Sequence, residues 1–202
     1  MHDWREAIWA AVPEGAEPEG FQERLAFLLG RVAAGDRVLD LGCGDGAFAA
    51  ELSSAGALVT GADVAGEALR RAAQRAPAVT LVQLDEGAAL PFAEDAFDAV
   101  WIGETLEHVA DVAGLLTDVR RVLRGGGELL VTTPNQPRLL LAVEALRGRP
   151  LERRLDPRAD HLRFFTMRTL SALLSGAGFA QIDVHAVGGW PLARRGLHAL
   201  AR

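Results

Sequence analysis

The chain has 202 residues, half of them hydrophobic and 24% charged, which suits one folded domain with a sizeable core and argues against disorder. Its formal net charge of −6 leaves no basic excess to neutralise a phosphate backbone, which argues against nucleic acid, DNA included, as a bulk partner. All 21 fixed positive charges are arginine and tyrosine is absent, which removes Schiff-base catalysis, the P-loop lysine and a Tyr/Lys dehydrogenase pair; one cysteine cannot build a disulfide framework.

From the N-terminus, Met1 to Glu6 is charged and lacks the apolar core of a signal peptide, and no stretch approaches the ~20 apolar residues that span a bilayer. A cytoplasmic protein with no membrane contact is the expectation. Trp4 and Trp9 lie on an amphipathic segment that reads either as a substrate lid or as packing on a sheet edge. Phe21 to Val32 carries apolar residues at helical spacing (Phe21, Leu25, Leu28, Leu29, Val32).

The next segment is the most informative. Val38, Leu39 and Leu41 form a buried strand that ends around Asp40 and turns through Gly42, Gly44 and Gly46 into a helix beginning near Ala47. The glycines let the backbone come within contact distance of a ligand, where any Cβ would collide. The spacing also satisfies a dinucleotide pattern, so charge discriminates. Asp40 would repel a pyrophosphate at the helix N-terminus but attract a ligand carrying an amino group and a sulfonium. S-adenosylmethionine is such a ligand. Cys43, wedged between two of these glycines, reads as a small buried filler rather than a nucleophile.

Strand and helix then alternate. Leu58 to Ala62 is a strand ending at Asp63, placed for ribose hydroxyls, and Gly66 to Arg75 is a helix. Val79 to Leu84 is a strand ending at Asp85 and Glu86, where a carboxylate accepts from an adenine amine; Asp85, at the strand end, is preferred. Phe97 to Ile102 and Glu128 to Thr133 are further strands, separated by a helix over Val112 to Leu123 that stops at Gly125, Gly126 and Gly127. Such alternation calls for a three-layer α/β sandwich, Rossmann-like, with a mostly parallel sheet and helices on both faces.

After Pro134 the pattern loosens. Pro137 to Leu146 reads as helix, Arg147 to Arg163 as a charged connection, Met167 to Ser175 as helix and Ala180 to Val187 as a last clear strand. The connection, with Arg147, Arg149, Arg153, Arg154, Arg158 and Arg163, is either a clamp for an anionic substrate or, given Glu152, Asp156 and Asp160, a solvated surface. No convincing strand follows Val187. Either Leu192 to Leu200 forms one against its propensity, or a helix or a second copy covers the edge, which makes a homodimer an expectation.

Val38-Leu39-Asp40-Leu41-Gly42-Cys43-Gly44-Asp45-Gly46, Asp63, Leu90-Pro91-Phe92, Phe97-Asp98-Ala99-Val100, Leu106-Glu107-His108-Val109 and Gly125-Gly126-Gly127-Glu128, in this order, resemble the class I S-adenosylmethionine-dependent methyltransferases over roughly Phe21 to Val187. Thr133-Pro134-Asn135, Asp160-His161-Leu162-Arg163-Phe164-Phe165 and Ala177-Gly178-Phe179 are similar to the small-molecule branch with ubiquinone-type O-methyltransferases and the methionine-biosynthesis protein MetW. The resemblance implies one domain: an N-terminal helical lid or cap (1–34), a cofactor core (35–133) and a substrate-side part (134–202). It implies S-adenosylmethionine contacts from Asp40, Gly42, Cys43, Gly44, Gly46, Asp63, Val64, Asp85, Glu86, Gly103 and Glu104, and methyl transfer to oxygen or nitrogen of a small molecule.

Methyl transfer from sulfonium needs alignment first and, for a hydroxyl or a protonated amine, a base. His108, following the Phe97 to Ile102 strand, is the candidate, with His161 joining from the later loop; the alternative for His108 is a structural hydrogen bond. Glu104, Glu107, His108 and His161 also resemble the ligand set of metal-dependent RNA 2′-O-methyltransferases, which would suit Mg²⁺ or Mn²⁺. The rivals are a non-catalytic cofactor-binding partner, as the MetW likeness implies, and a nicotinamide oxidoreductase, disfavoured by Asp40.

Overall fold

A computed structural model describes residues 4–136, 142, 146, 161–188 and 196–202. Apart from residues 142 and 146, the expected helix over Pro137 to Leu146 lies outside the described residues, as does nearly all of the arginine-rich connection. In chain order the elements are α1 (Trp4–Ala11), α2 (Phe21–Leu29), β1 (Arg37–Leu41), α3 (Ala47–Ser54), β2 (Leu58–Asp63), α4 (Gly66–Arg75), β3 (Thr80–Gln83) and β4 (Phe97–Gly103). A 3₁₀ turn (Leu106–His108), α5 (Val112–Val122), β5 (Leu123–Pro134), α6 (Met167–Gly176), β6 (Asp183–Val187) and β7 (Gly196–Ala201) complete them.

The seven strands form one sheet in the order β3-β2-β1-β4-β5-β7-β6, with β7 antiparallel to both neighbours and the other pairs parallel. Two buried clusters flank it. On one face Val112, Leu116, Val119 and Val122 of α5 and Leu170 and Leu174 of α6 pack on Leu39, Val100, Ile102 and Leu129. On the other, Phe21, Leu25 and Leu28 of α2 and Phe48, Ala49 and Leu52 of α3 pack on Val38, Val59 and Leu130. The three-layer arrangement follows from central strands buried on both faces, which reads in sequence as continuous apolar runs.

Two expectations need correction. The helix after β4 ends at Val122, and the triple glycine is not its stop: it lies within β5, where the register with β4 jumps from Phe97↔Leu123 to Ala99↔Glu128, and Gly126 with φ 78° turns the bulge. A last strand does form. β7 inserts between β5 and β6, burying Leu197, Ala199 and Ala201, with full ladders on both sides. Strand propensity spans only about 1 kcal/mol, whereas burying one leucine side chain contributes about 1.5–3 kcal/mol, so packing overrides the weak local preference. The edge argument for a second copy therefore falls away. No helix among the described residues is long and apolar enough to cross a membrane.

Candidate functional site

The carboxyl ends of β1, β2 and β4 open on one cleft of about 890 Å³, the size of a nucleoside-scale ligand site. Gly42, Cys43 and Gly44 line it; the amides of Gly42 and Cys43 donate to Ala62 O at 2.7 and 3.1 Å, folding the turn back over β2. Gly42 has φ 77°, and a Cβ there would stand 2.3 Å from Thr105 Oγ1, so only glycine closes the turn against the β4 end. Gly44 meets the Trp9 ring of α1 in the same manner, with a Cβ–ring separation of 2.6 Å.

Asp63 accepts from Gly44 N and from Ala65 N, both at 2.9 Å, and so ties the end of β2 to the turn after β1. Burial raises its pKa, against which the amides of Ala65, Gly44 and Val64 pull it down. Val64, Asp85, Glu86, Gly103, Glu104 and His108 also line the cleft. The Glu86 carboxylate is gripped by Arg5 of α1, at 2.5 Å through Nη2, whereas Asp85 beside it is exposed. Cys43 is buried, and burial together with the Asp40 charge pushes its thiol up, as befits a filler.

Two expected contacts lie elsewhere. Gly46 does not line the cleft; its α-carbon faces Ala72 of α4, where a Cβ would come within 3.1 Å, so it serves close helix packing. Asp40, only 1% exposed, sits behind the turn and accepts from the Ala49 amide of α3. Its carboxyl is pushed up to about 7 by burial and then by the Asp63 charge, with Arg24 pulling the other way. The folded chain thus holds this proton up to about pH 7, whereas the unfolded chain releases it near 3.8. Folding binds a proton in that window, so the stability it contributes is lost as pH rises. Asp40→Asn should therefore retain about 2–4 kcal/mol that wild type loses between pH 5 and 8, read by urea unfolding at the two pH values. Glu104 keeps a smaller slope in the variant, because burial and then Glu107 push it up to about 7 as well.

Arg24 was not legible as a site residue, yet it lines the cleft while being only 8% exposed. Its Nε donates to Thr132 Oγ1 at 3.1 Å, Nη1 donates to Glu19 O at 3.2 Å, and the guanidinium lies 4.7 Å from the Phe48 ring centre and 5.7 Å from that of Trp101. Burial lowers its pKa, opposed by Glu104, Glu107 and Asp40. The signal in sequence was its spacing: Phe21, Arg24, Leu25 and Leu28 share one face of α2, and an arginine on a buried stripe requires partners.

At the far side, His108 and His161 pack edge to face with ring centres 4.8 Å apart. Glu107 is buried and accepts from Thr133 Oγ1 at 2.9 Å, while its backbone carbonyl accepts from the amides of Leu162 and Arg163, fixing the later loop to the 3₁₀ turn. Ligand atoms of Glu107, His108 and His161 all lie within 4.8 Å of one another; Glu104 stands outside that set. Arg163 donates to the carbonyls of Val109 and Ala110, so it braces the loop instead of reaching out as an anion clamp. Over the opposite wall, Arg5, Ile8, Trp9 and Val12 bring α1 and the segment after it across the cleft. The Glu6 carboxylate accepts from the Gly66 and Glu67 amides at 2.6 and 3.0 Å, capping α4, whose own N-cap is Ala65.

With this geometry in place, comparison with known proteins is informative. Residues 39–131 match the family model described as a methyltransferase domain. The chain is similar to a ubiquinone biosynthesis O-methyltransferase of Methylocella silvestris, 34% identical over 174 residues covering 81% of this chain and 68% of that protein. It is also similar to a demethylmenaquinone methyltransferase of Tropheryma whipplei, 37% identical over 113 residues covering 55% and 47%, so the match spans about half the length of that relative. Among solved structures, an S-adenosylmethionine-dependent methyltransferase from Mesorhizobium loti superposes with a TM-score of 0.69 at 26% identity over 93% of this chain and 98% of that one. A second, from Aquifex aeolicus, superposes with a TM-score of 0.72 at 16% identity over 97% of both, a likeness of fold.

Proposed function

The chain belongs to the class I S-adenosylmethionine-dependent methyltransferases, and from that premise we propose that it transfers a methyl group to an oxygen or nitrogen of a small-molecule acceptor in the cytoplasm. The observation that carries this reading is the convergence on one cleft of Asp63, bonded to the glycine turn, with Asp85 and the buried cation Arg24. These donors and acceptors fit the parts of the cofactor one by one: Arg24 its carboxylate, Asp63 its ribose hydroxyls and Asp85 its exocyclic amine, with the close-approaching turn at Gly42 and Gly44 between them. Asp40 favours a cationic ligand through the wall of the cleft, without touching it.

S-adenosylmethionine supplies a methyl group on a positively charged sulfur, which a nucleophile displaces in line. The protein's part is chiefly alignment, which supplies up to ~7–11 kcal/mol. His108 accepts the acceptor's proton at a ring nitrogen, and α1, with Ile8 and Trp9 over the cleft, acts as the lid that excludes water. The Glu107, His108 and His161 cluster favours one alternative: a divalent cation such as Mg²⁺ or Mn²⁺, with His108 as a ligand in place of a base, which would polarise a hydroxyl acceptor.

The test is calorimetric titration with S-adenosylhomocysteine, with NAD as control, followed by methyl-transfer assays on small hydroxylated acceptors with and without a chelator. Micromolar binding of the nucleoside and none of NAD is expected, with turnover that falls about a hundredfold in His108→Ala. Loss of turnover on chelation, restored by Mg²⁺, supports the metal. Binding without turnover, indifferent to His108→Ala, replaces this reading with a non-catalytic cofactor-binding partner. No binding at all withdraws it.

A further inference from the structure

The loop from Leu84 to Ala96, between β3 and β4, carries Asp85 and has no regular structure to satisfy its backbone, so its polar groups need partners from elsewhere. Some lie on β2 or within the loop itself, where Leu84 N donates to Asp63 O, Ala88 N to Asp85 O and Phe92 N to Leu90 O, and others come from one side of α5. Asp118 accepts the Leu90 amide with one carboxylate oxygen and pairs with Arg121 Nε at 2.5 Å through the other. Arg121 donates from Nη1 to Phe92 O at 2.6 Å and from Nη2 to Leu90 O at 3.0 Å. This one ion pair therefore grips an amide and two carbonyls, and both of its side chains line the cleft. The same loop is held at Glu86 by Arg5 from the lid. Asp85 opens the exposed run Asp85 to Ala89, which is fixed at one end where the Leu84 amide donates to Asp63 O at 2.8 Å and at the other where Leu90 is buried at 5% exposure; within it the Ala88 amide donates back to Asp85 O at 3.1 Å.

Resting on the cofactor reading above, we infer that Asp118 and Arg121 are positioning residues which set the selectivity of the cleft for an adenine base, acting through the placement of Asp85. A carboxylate that accepts from an exocyclic amine rejects a base bearing a carbonyl oxygen there, because two acceptors then face each other without a proton. That rejection holds only while the carboxylate is held in place. A loosened loop lets Asp85 swing to solvent, and the two bases become alike. The pair does not touch the reacting atoms, so the expected signature is in nucleoside recognition and not in the chemical step.

The experiment measures dissociation constants of S-adenosylhomocysteine and S-inosylhomocysteine for the wild type and for Asp118→Ala, Asp118→Asn and Arg121→Lys, with thermal unfolding of each. The wild type should prefer the adenine compound. Arg121→Lys keeps the charge but cannot span two carbonyls, and it and Asp118→Ala should weaken the adenine compound about tenfold and shrink the preference by a similar factor. Asp118→Asn retains an acceptor for the Leu90 amide and should keep most of the preference. If Asp118→Ala does not fold, Arg121→Lys decides. Folded variants with an undiminished preference, or a wild type that binds both compounds equally, overturn this inference alone. A wild type that binds neither overturns the cofactor reading and this inference with it.

Discussion

Replacing Arg24 by methionine should cost this protein both its cofactor and much of its stability, and the cost should be larger at pH 8 than at pH 6. The guanidinium is the buried cation between Asp40 and Glu104, held by Thr132 and the Glu19 carbonyl and enclosed by the Phe48 and Trp101 rings. Methionine fills part of the space but returns none of the charge. Breaking a buried pair by removing one partner typically costs about 3–5 kcal/mol. At pH 6 both acids, pushed up to about 7, are largely protonated and the missing cation is partly tolerated; at pH 8 folding must either take up their protons against the pH or bury their charges without it. Removing the cation raises both folded pKa values further, so the loss of stability with rising pH extends to higher pH in the variant. Urea unfolding at the two pH values reads this, and an equal loss at both would show that Arg24 acts by packing alone. In the same samples S-adenosylhomocysteine should bind at least about a hundredfold more weakly, since a charge-assisted carboxylate contact contributes about 1.5–3 kcal/mol and the cleft is reshaped besides.

Asp63→Ala should abolish nucleoside binding, with a loss of about a thousandfold that corresponds to two charge-assisted hydrogen bonds to ribose hydroxyls. The substitution also strips the Gly44 and Ala65 amides of their acceptor, so the turn and the start of α4 loosen together. Asp63→Asn separates the two effects. It offers one acceptor oxygen in place of two, and should recover thermal stability more fully than affinity. Calorimetry with S-adenosylhomocysteine and thermal unfolding of the same variants are the measurements. Unchanged affinity in a folded Asp63→Ala protein would move the ribose to another acid of the cleft and remove the main support for the proposed binding mode.

The parts of the site that were legible beforehand are the local ones. A strand, a turn and the helix that follows are contiguous in the chain, so the apolar run Val38 to Leu41 and the glycines after it imply both the backbone path and a ligand above it. Asp63 is legible for the same reason, being the end of the next strand. The acid pair Asp85 and Glu86 was located, but that Glu86 is taken up by Arg5, some eighty residues away, was not legible from the strand end alone. Asp40 illustrates the limit in the other direction. Its place in the motif is plain, but a residue on β1 points to one face of the sheet or the other, and its carboxylate turned to the Ala49 amide behind the turn and not into the cleft.

By itself, then, the sequence determined the fold class, the alternation of strands and helices, the glycine turn and the acids at strand ends, because these are encoded by periodicity and by residues within one turn of each other. Only the tertiary structure decided the insertion of β7, the grip of Asp118 and Arg121 on the Leu90 to Phe92 backbone, the capping of α4 by Glu6 and the seating of Arg24 under the cleft. Each of these is a contact between segments far apart in the chain. Hydrophobic spacing states that a face is covered; which partner covers it, and which charge meets which, is settled only when the whole sheet closes and every buried polar group must find its match.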